Sequence, residues 1–117
     1  MILPATFNIR MVRGDDRQFR FEFSPPIDIT GMTFTFSVRD VTSGQSSTQG
    51  TSRISKTVGS GLTITDGPRG ILTLTLDAAD TSSLDASEAY TWQLKRTGSG
   101  TVKTCGKGTF TLDLDDA

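Results

Sequence analysis

The chain has no histidine, a single cysteine and no apolar run long enough to span a bilayer, and each shortage removes a class of function. Imidazole is the usual general base near neutral pH and the commonest metal ligand, so its absence excludes Ser-His-Asp and Cys-His catalysis. One thiol and scattered carboxylates do not make a four-ligand zinc site, and no other cofactor is expected. Cys105 has no partner for an intramolecular disulfide, which suits synthesis in a reducing compartment and leaves stability to packing. Lys and Arg are not massed, and the formal net charge is only -1, so the basic face that phosphate backbones need is missing and nucleic acid is not an expected partner. The opening "MILPATFNIR" lacks a basic stretch followed by a long apolar run, which predicts a soluble chain with no export address and no membrane partner.

What the sequence does contain is a period of two. Phe7, Ile9 and Met11 alternate with polar neighbours, as do Phe19, Phe21 and Phe23, then Phe34, Phe36 and Val38, then Leu72, Leu74 and Leu76. Tyr90, Trp92 and Leu94 continue the pattern, followed by Phe110, Leu112 and Leu114. Successive strand side chains point to opposite faces, so each set lines an inner surface while Thr, Arg, Gln and Lys stay wet. The prediction is an all-β fold: an antiparallel sandwich of seven or eight strands forming one domain over residues 1–117. At this length one hydrophobic core suffices.

Turn residues punctuate the runs: "RGDD", "SPPIDITG", "TSGQSSTQGTS", "GSG" at Gly59 to Gly61, "DGPRG" and "GSG" at Gly98 to Gly100. Residues 42–52, Ser, Thr, Gln and Gly with almost nothing to bury, read as a flexible loop. The best helical candidate is "DAADTSSLDASEA", where Asp80, Thr81 or Ser82 would cap a single turn crossing between sheets. Arg13, Gly14 and Asp15 form the triplet read elsewhere by adhesion receptors, but they fall between two strand patterns where a reversal needs a glycine and local side-chain bonds. They are read as a bend, in the form of a hairpin.

The remaining candidates for chemistry have structural readings. Asp113 and Asp115 alternate with Leu112 and Leu114, which sends the acids to the wet face, and "LDLDDA" has no ligand-gathering loop for calcium. Tyr90 and Trp92 could make an aromatic platform for sugar, but on an inner strand they fill the core. Cys105, placed near the start of the last strand with no imidazole beside it, reads as a small packing residue. The glycine-rich stretches precede strands, whereas a phosphate cradle needs a helix. No catalytic, cofactor or metal residue is assigned, and the chain is expected not to be an enzyme.

"VRGDDRQFRFEF", "PIDITGMTFTFSVRD", "GLTITDGPRGILTLTLDAADTSSL" and "AYTWQLKRTGSGTVKTCGKGTFTLDLD" follow in an order that resembles small tailed-phage and prophage proteins whose domain is like the immunoglobulin-like N-terminal module of baseplate upper proteins. Gly14 and Asp15 match the first element of that pattern, and Asp28, Ile29, Thr30 and Gly31 the second. Gly70 to Leu76, Asp80 and Thr81, Tyr90 to Leu94, and Gly108 to Leu112 match the rest. The chain departs where such proteins have a glycine before the aromatic strand, since Ser87, Glu88 and Ala89 stand there, and in its longer loop at 42–52. The resemblance implies an immunoglobulin-like sandwich serving as a virion structural part, made in the bacterial cytoplasm and carried in the tail, with other phage proteins or copies of itself as partners. Pro25 and Pro26 stiffen the segment around Ile27 and Ile29, which is either a docking surface or a corner between sheets. A carbohydrate or host-surface binding module is the alternative function.

Overall fold

The computed structural model describes residues 2–3, 5–6, 8–40, 52–82, 84, 90–98 and 101–113. In chain order the elements are β1 (Ile2–Leu3), β2 (Ala5–Thr6), β3 (Ile9–Val12), β4 (Arg17–Phe23), β5 (Thr33–Asp40), β6 (Ser52–Val58), β7 (Gly61–Asp66), β8 (Ile71–Leu76), the short helix α1 (Ala78–Ser82), β9 (Tyr90–Gly98) and β10 (Thr101–Asp113). The ladder runs β1-β4-β8-β7-β6-β5-β9-β10-β2, with β3 also on β10. Where β6 meets β7 only Thr57↔Gly61 and Val58↔Leu62 pair, and there one layer gives way to the other.

The layers are therefore β1-β4-β8-β7 and β6-β5-β9-β10-β3, which is the strand order of an immunoglobulin-type sandwich. That they face each other is shown by ring contacts between strands with no shared hydrogen bonds. Phe21 of β4 lies 5.8 Å from Trp92 of β9 and 6.4 Å from Phe36 of β5. Phe23 of β4 likewise meets Phe34 of β5 at 6.1 Å, while Phe36 and Trp92 stack at 5.8 Å within one layer. The alternation read from sequence builds this core: Phe19, Phe21 and Phe23, Phe34, Phe36 and Val38, Leu72, Leu74 and Leu76, and Tyr90, Trp92 and Leu94 are all buried. Gly106 and Gly108 stand opposite Leu94 and Trp92 in the β9–β10 ladder, so these two large side chains meet no cross-strand side chain there.

Three departures from the expected layout have physical reasons. There are ten strands, because the N-terminal segment contributes β1 and β2, each of two residues, beside eight longer strands. Within each layer the body is antiparallel as expected, and only the two-residue contact of β6 with β7 is parallel; the N-terminal segment also pairs in parallel, β1 with β4 and then β2 and β3 with β10, since it passes from one layer to the other. The expected hairpin at Arg13–Asp15 is not one: β3 pairs with β10 and β4 with β1 and β8, so the bend joins strands of different layers. Turn chemistry in a hairpin and in such a crossing is the same, and only the distant partners differ.

The flexible loop expected at 42–52 lies outside the described residues except Ser52, which begins β6. The expected helical turn is α1, but its cap is Asp77 rather than Asp80, Thr81 or Ser82. Asp80 reaches back so that its Oδ2 accepts the Asp77 amide at 2.7 Å, the reciprocal half of a capping box.

Removing the ring that both opposing strands share should be costly. Phe21→Ala is expected to destabilise the fold by about 3–5 kcal/mol, the usual range for deleting a buried Phe side chain, read as a fall in the urea midpoint.

Candidate functional site

Two corners of the sandwich concentrate polar contacts, one at each end of the strands. The first joins the Arg13–Asp16 bend to α1. Gly14, with a φ of 86°, donates its amide to Thr81 Oγ1 at 2.8 Å, and the Asp15 amide closes the turn on the Val12 carbonyl at 3.2 Å. A guanidinium nitrogen of Arg13 donates to the Leu84 carbonyl at 3.3 Å, while Asp16 Oδ1 accepts the Ala78 amide at 2.7 Å. Lys56 reaches across from the other layer to Asp80, 2.9 Å away. The Arg-Gly-Asp triplet is thus an internal brace: its arginine is engaged and its glycine is held by Thr81, the one buried polar residue among those described.

The second corner is the β4–β5 connection, the "SPPIDITG" stretch. Asp28 Oδ1 accepts the Thr30 amide at 2.9 Å, and bonds from the side chain and backbone of Thr30 hold the Asp28 carboxyl below its ordinary value. Ile29 is buried and its amide donates to the Gly67 carbonyl at 2.8 Å. Phe23 donates likewise to the Gly70 carbonyl at 3.0 Å, so the corner is fastened to the β7–β8 turn. Gly70, at a φ of 72°, sits so close that a Cβ there would lie 2.7 Å from the Ile27 carbonyl oxygen. Of the two readings of this segment, corner and docking surface, the first is observed for Ile29 and leaves Ile27 outside, 38 % exposed.

Beneath this corner lies a cavity of about 190 Å³. Phe23, Ser24, Pro25 and Ile27 form one side, and Arg96, Lys103 and Cys105 the other. Arg96 continues the inward stripe of Tyr90, Trp92 and Leu94 beyond the end of the core, and Lys103 stands directly across from it in the β9–β10 ladder. The register shifts between Thr104 and Gly106, a bulge that leaves Cys105 as the extra residue and turns it inward. Cys105 is thus the fifth residue of β10 rather than at its start. Burial pushes its thiol up from the ordinary range, against the opposing pull of Arg96 and Lys103.

The other sequence candidates fall elsewhere. Asp113 is on the wet face as expected, but it is paired: the Arg10 guanidinium grips both its oxygens at 2.7–3.1 Å and lowers its carboxyl pKa. Asp115 and Asp116 lie outside the described residues. Tyr90 and Trp92 are core residues, at 3 % and 0 % exposure, so neither offers a ring face to a sugar. An open groove of about 250 Å³ does lie between the outer faces of β9 and β10 and the N-terminal segment, lined by Thr91, Gln93, Lys107 and Thr109 with Thr6 and Asn8. Among the described residues no three His, Cys, Asp or Glu side chains gather in a metal-holding group, and no helix is long and apolar enough to cross a membrane. The Arg96–Lys103 cavity was not read from sequence; the signal was there in Arg96, the fourth member of the Tyr90, Trp92, Leu94 series.

No family model matches the chain, and no curated protein matches it. Solved structures similar to it include that of the NK cell receptor Nkp44, described as a triggering partner in natural cytotoxicity. The two are 16 % identical with a TM-score of 0.45, over 94 % of this chain and 100 % of that one. The immunoglobulin-type order of the strands stands on their pairing alone.

Two measurements check these placements. Thr81→Val strands the Gly14 amide in a buried site and is expected to cost about 1–3 kcal/mol in denaturant unfolding. Cys105 should react with iodoacetamide at pH 8 at least about tenfold more slowly in the native protein than in urea, because burial and the raised pKa both withhold the thiolate.

Proposed function

We propose that the protein is a non-catalytic structural component of a phage tail or baseplate that acts by docking onto other tail proteins. The docking reading is carried by one observation: the β4–β5 corner is held rigid by the Ile29–Gly67 and Phe23–Gly70 bonds while Ile27 is left exposed beside two cations. A preorganised corner loses little conformational freedom on association, which favours its use as a contact. The tail assignment is supported by the order of motifs across the chain, from Gly14–Asp15 through Asp28–Gly31 to Gly108–Leu112. Those motifs have clear local roles, since Gly14 makes the sheet-crossing bend and Asp28 to Gly31 form the corner itself. In a tail, symmetric repetition makes individually weak contacts effective, so a small docking surface suffices.

Quantitative mass spectrometry of gradient-purified particles from the bacterium that carries the gene tests this. The chain is expected at a fixed ratio to the other tail proteins, and Ile27→Glu is expected to keep the fold and lower incorporation severalfold. Particles with complete tails that contain none of this chain would overturn the proposal.

A further inference from the structure

We propose that the cavity between Arg96, Lys103 and the β4–β5 corner receives an acidic side chain, together with an adjoining apolar one, from a segment of a partner protein. The inference rests on the docking reading above and names its surface and its partner's chemistry.

Arg96 and Lys103 are directly opposite each other on one face of the β9–β10 ladder, a placement that is unfavourable for like charges. Five cations elsewhere in the described structure are paired with carboxylates: Arg10 with Asp113, Arg20 with Glu22, Arg53 with Asp40, Lys56 with Asp80 and Arg69 with Asp66. Neither Arg96 nor Lys103 is in such a pair among the described residues, and both line one cavity, Arg96 half-buried and Lys103 exposed. The protein does not supply the missing charge from Cys105 either, because a buried thiol stays neutral. An incoming carboxylate placed between guanidinium and ammonium would remove the repulsion and gain charge-assisted hydrogen bonds.

Size and lining decide what brings the carboxylate. At about 190 Å³ the cavity is smaller than the roughly 300–1,000 Å³ of sites that enclose whole small molecules, so it fits an inserted side chain. Phe23, Pro25 and Ile27 form an apolar wall beside the cations, which favours an acid flanked by an aliphatic or aromatic residue over a bare anion. The wall is fixed in advance by the bonds of Ile29 and Phe23 to Gly67 and Gly70.

The test is a two-dimensional amide NMR titration of the full chain with three probes: the N-acetylated, C-amidated hexapeptide Ala-Leu-Asp-Leu-Asp-Ala, its Asn-for-Asp counterpart, and inorganic phosphate. The acidic peptide is expected to shift the signals of Phe23, Ile27, Arg96, Lys103 and Cys105 saturably, with the Asn peptide at least tenfold weaker. Both effects should vanish in the Arg96→Gln, Lys103→Gln double variant, whose urea midpoint should stay level or rise because a repulsion is relieved; a structural role for either residue would lower it. Equal response to both peptides, shifts centred elsewhere, or binding retained in the double variant would overturn the proposal. So would a phosphate response as strong as that of the acidic peptide, which would make this a small-anion site. Oligomer formation abolished by the double variant would identify a second copy as the source of the acid and overturn the separate-partner assignment. Incorporation into tails that survives the double variant would sink this surface while leaving the tail role standing, and binding without incorporation would do the reverse.

Discussion

The contact of Phe21 with Trp92 and Phe36 is the constraint on which the rest of the molecule depends, because it is where the two layers hold each other at the centre. Sandwiches of this type that carry a disulfide place it between the strands corresponding to β4 and β9, with a tryptophan from the strand corresponding to β5 packed against it. Here the same three strands contribute Phe21, Trp92 and Phe36, and the aromatic pair takes the place of the sulfur bridge. Tyr90, buried two residues ahead of Trp92, occupies the position of the tyrosine found near the start of that strand in such folds. A native disulfide contributes typically 2–4 kcal/mol. Burying a phenylalanine ring contributes a similar amount, about 3–5 kcal/mol by the cost of deleting it, so the exchange is energetically feasible.

With the centre fixed, both ends of the sandwich face the problem of returning the chain between layers without leaving backbone groups unpaired. At the α1 end, Gly14, Asp16 and Arg13 give and take bonds from the helix, and Asp80 serves its own helix through one oxygen and Lys56 through the other. At the opposite end, the β4–β5 corner and the β7–β8 turn satisfy each other. One end is closed by ion pairs and helix contacts; the other is closed on one side and leaves Arg96 and Lys103 facing a gap. That asymmetry between two otherwise similar corners is what the proposed docking at the second rests on.

Reading the sequence located the core well because burial in a strand follows a period of two, and Phe19 to Phe23, Phe34 to Val38, Leu72 to Leu76 and Tyr90 to Leu94 keep that period without interruption. The same rule was silent on partners. Ile9 to Val12 look like half of a hairpin with Arg17 to Phe23, yet Ile9 pairs with Phe110, and nothing local encodes a match across that span. Cys105 and Lys103 were hidden for a related reason. The bulge between Thr104 and Gly106 shifts the alternation by one residue, so Cys105 breaks the simple count from Phe110 while Lys103 comes to share a face with Arg96. Charged residues in alternating segments are read as wet by default, and only the termination of the core beneath Arg96 makes it something else.

The aromatic pin has one more consequence. Joining the layers through rings rather than sulfurs gives glutathione no bond to reduce there. The tie between the layers is thus built in the same way whether the surroundings are reducing or oxidising.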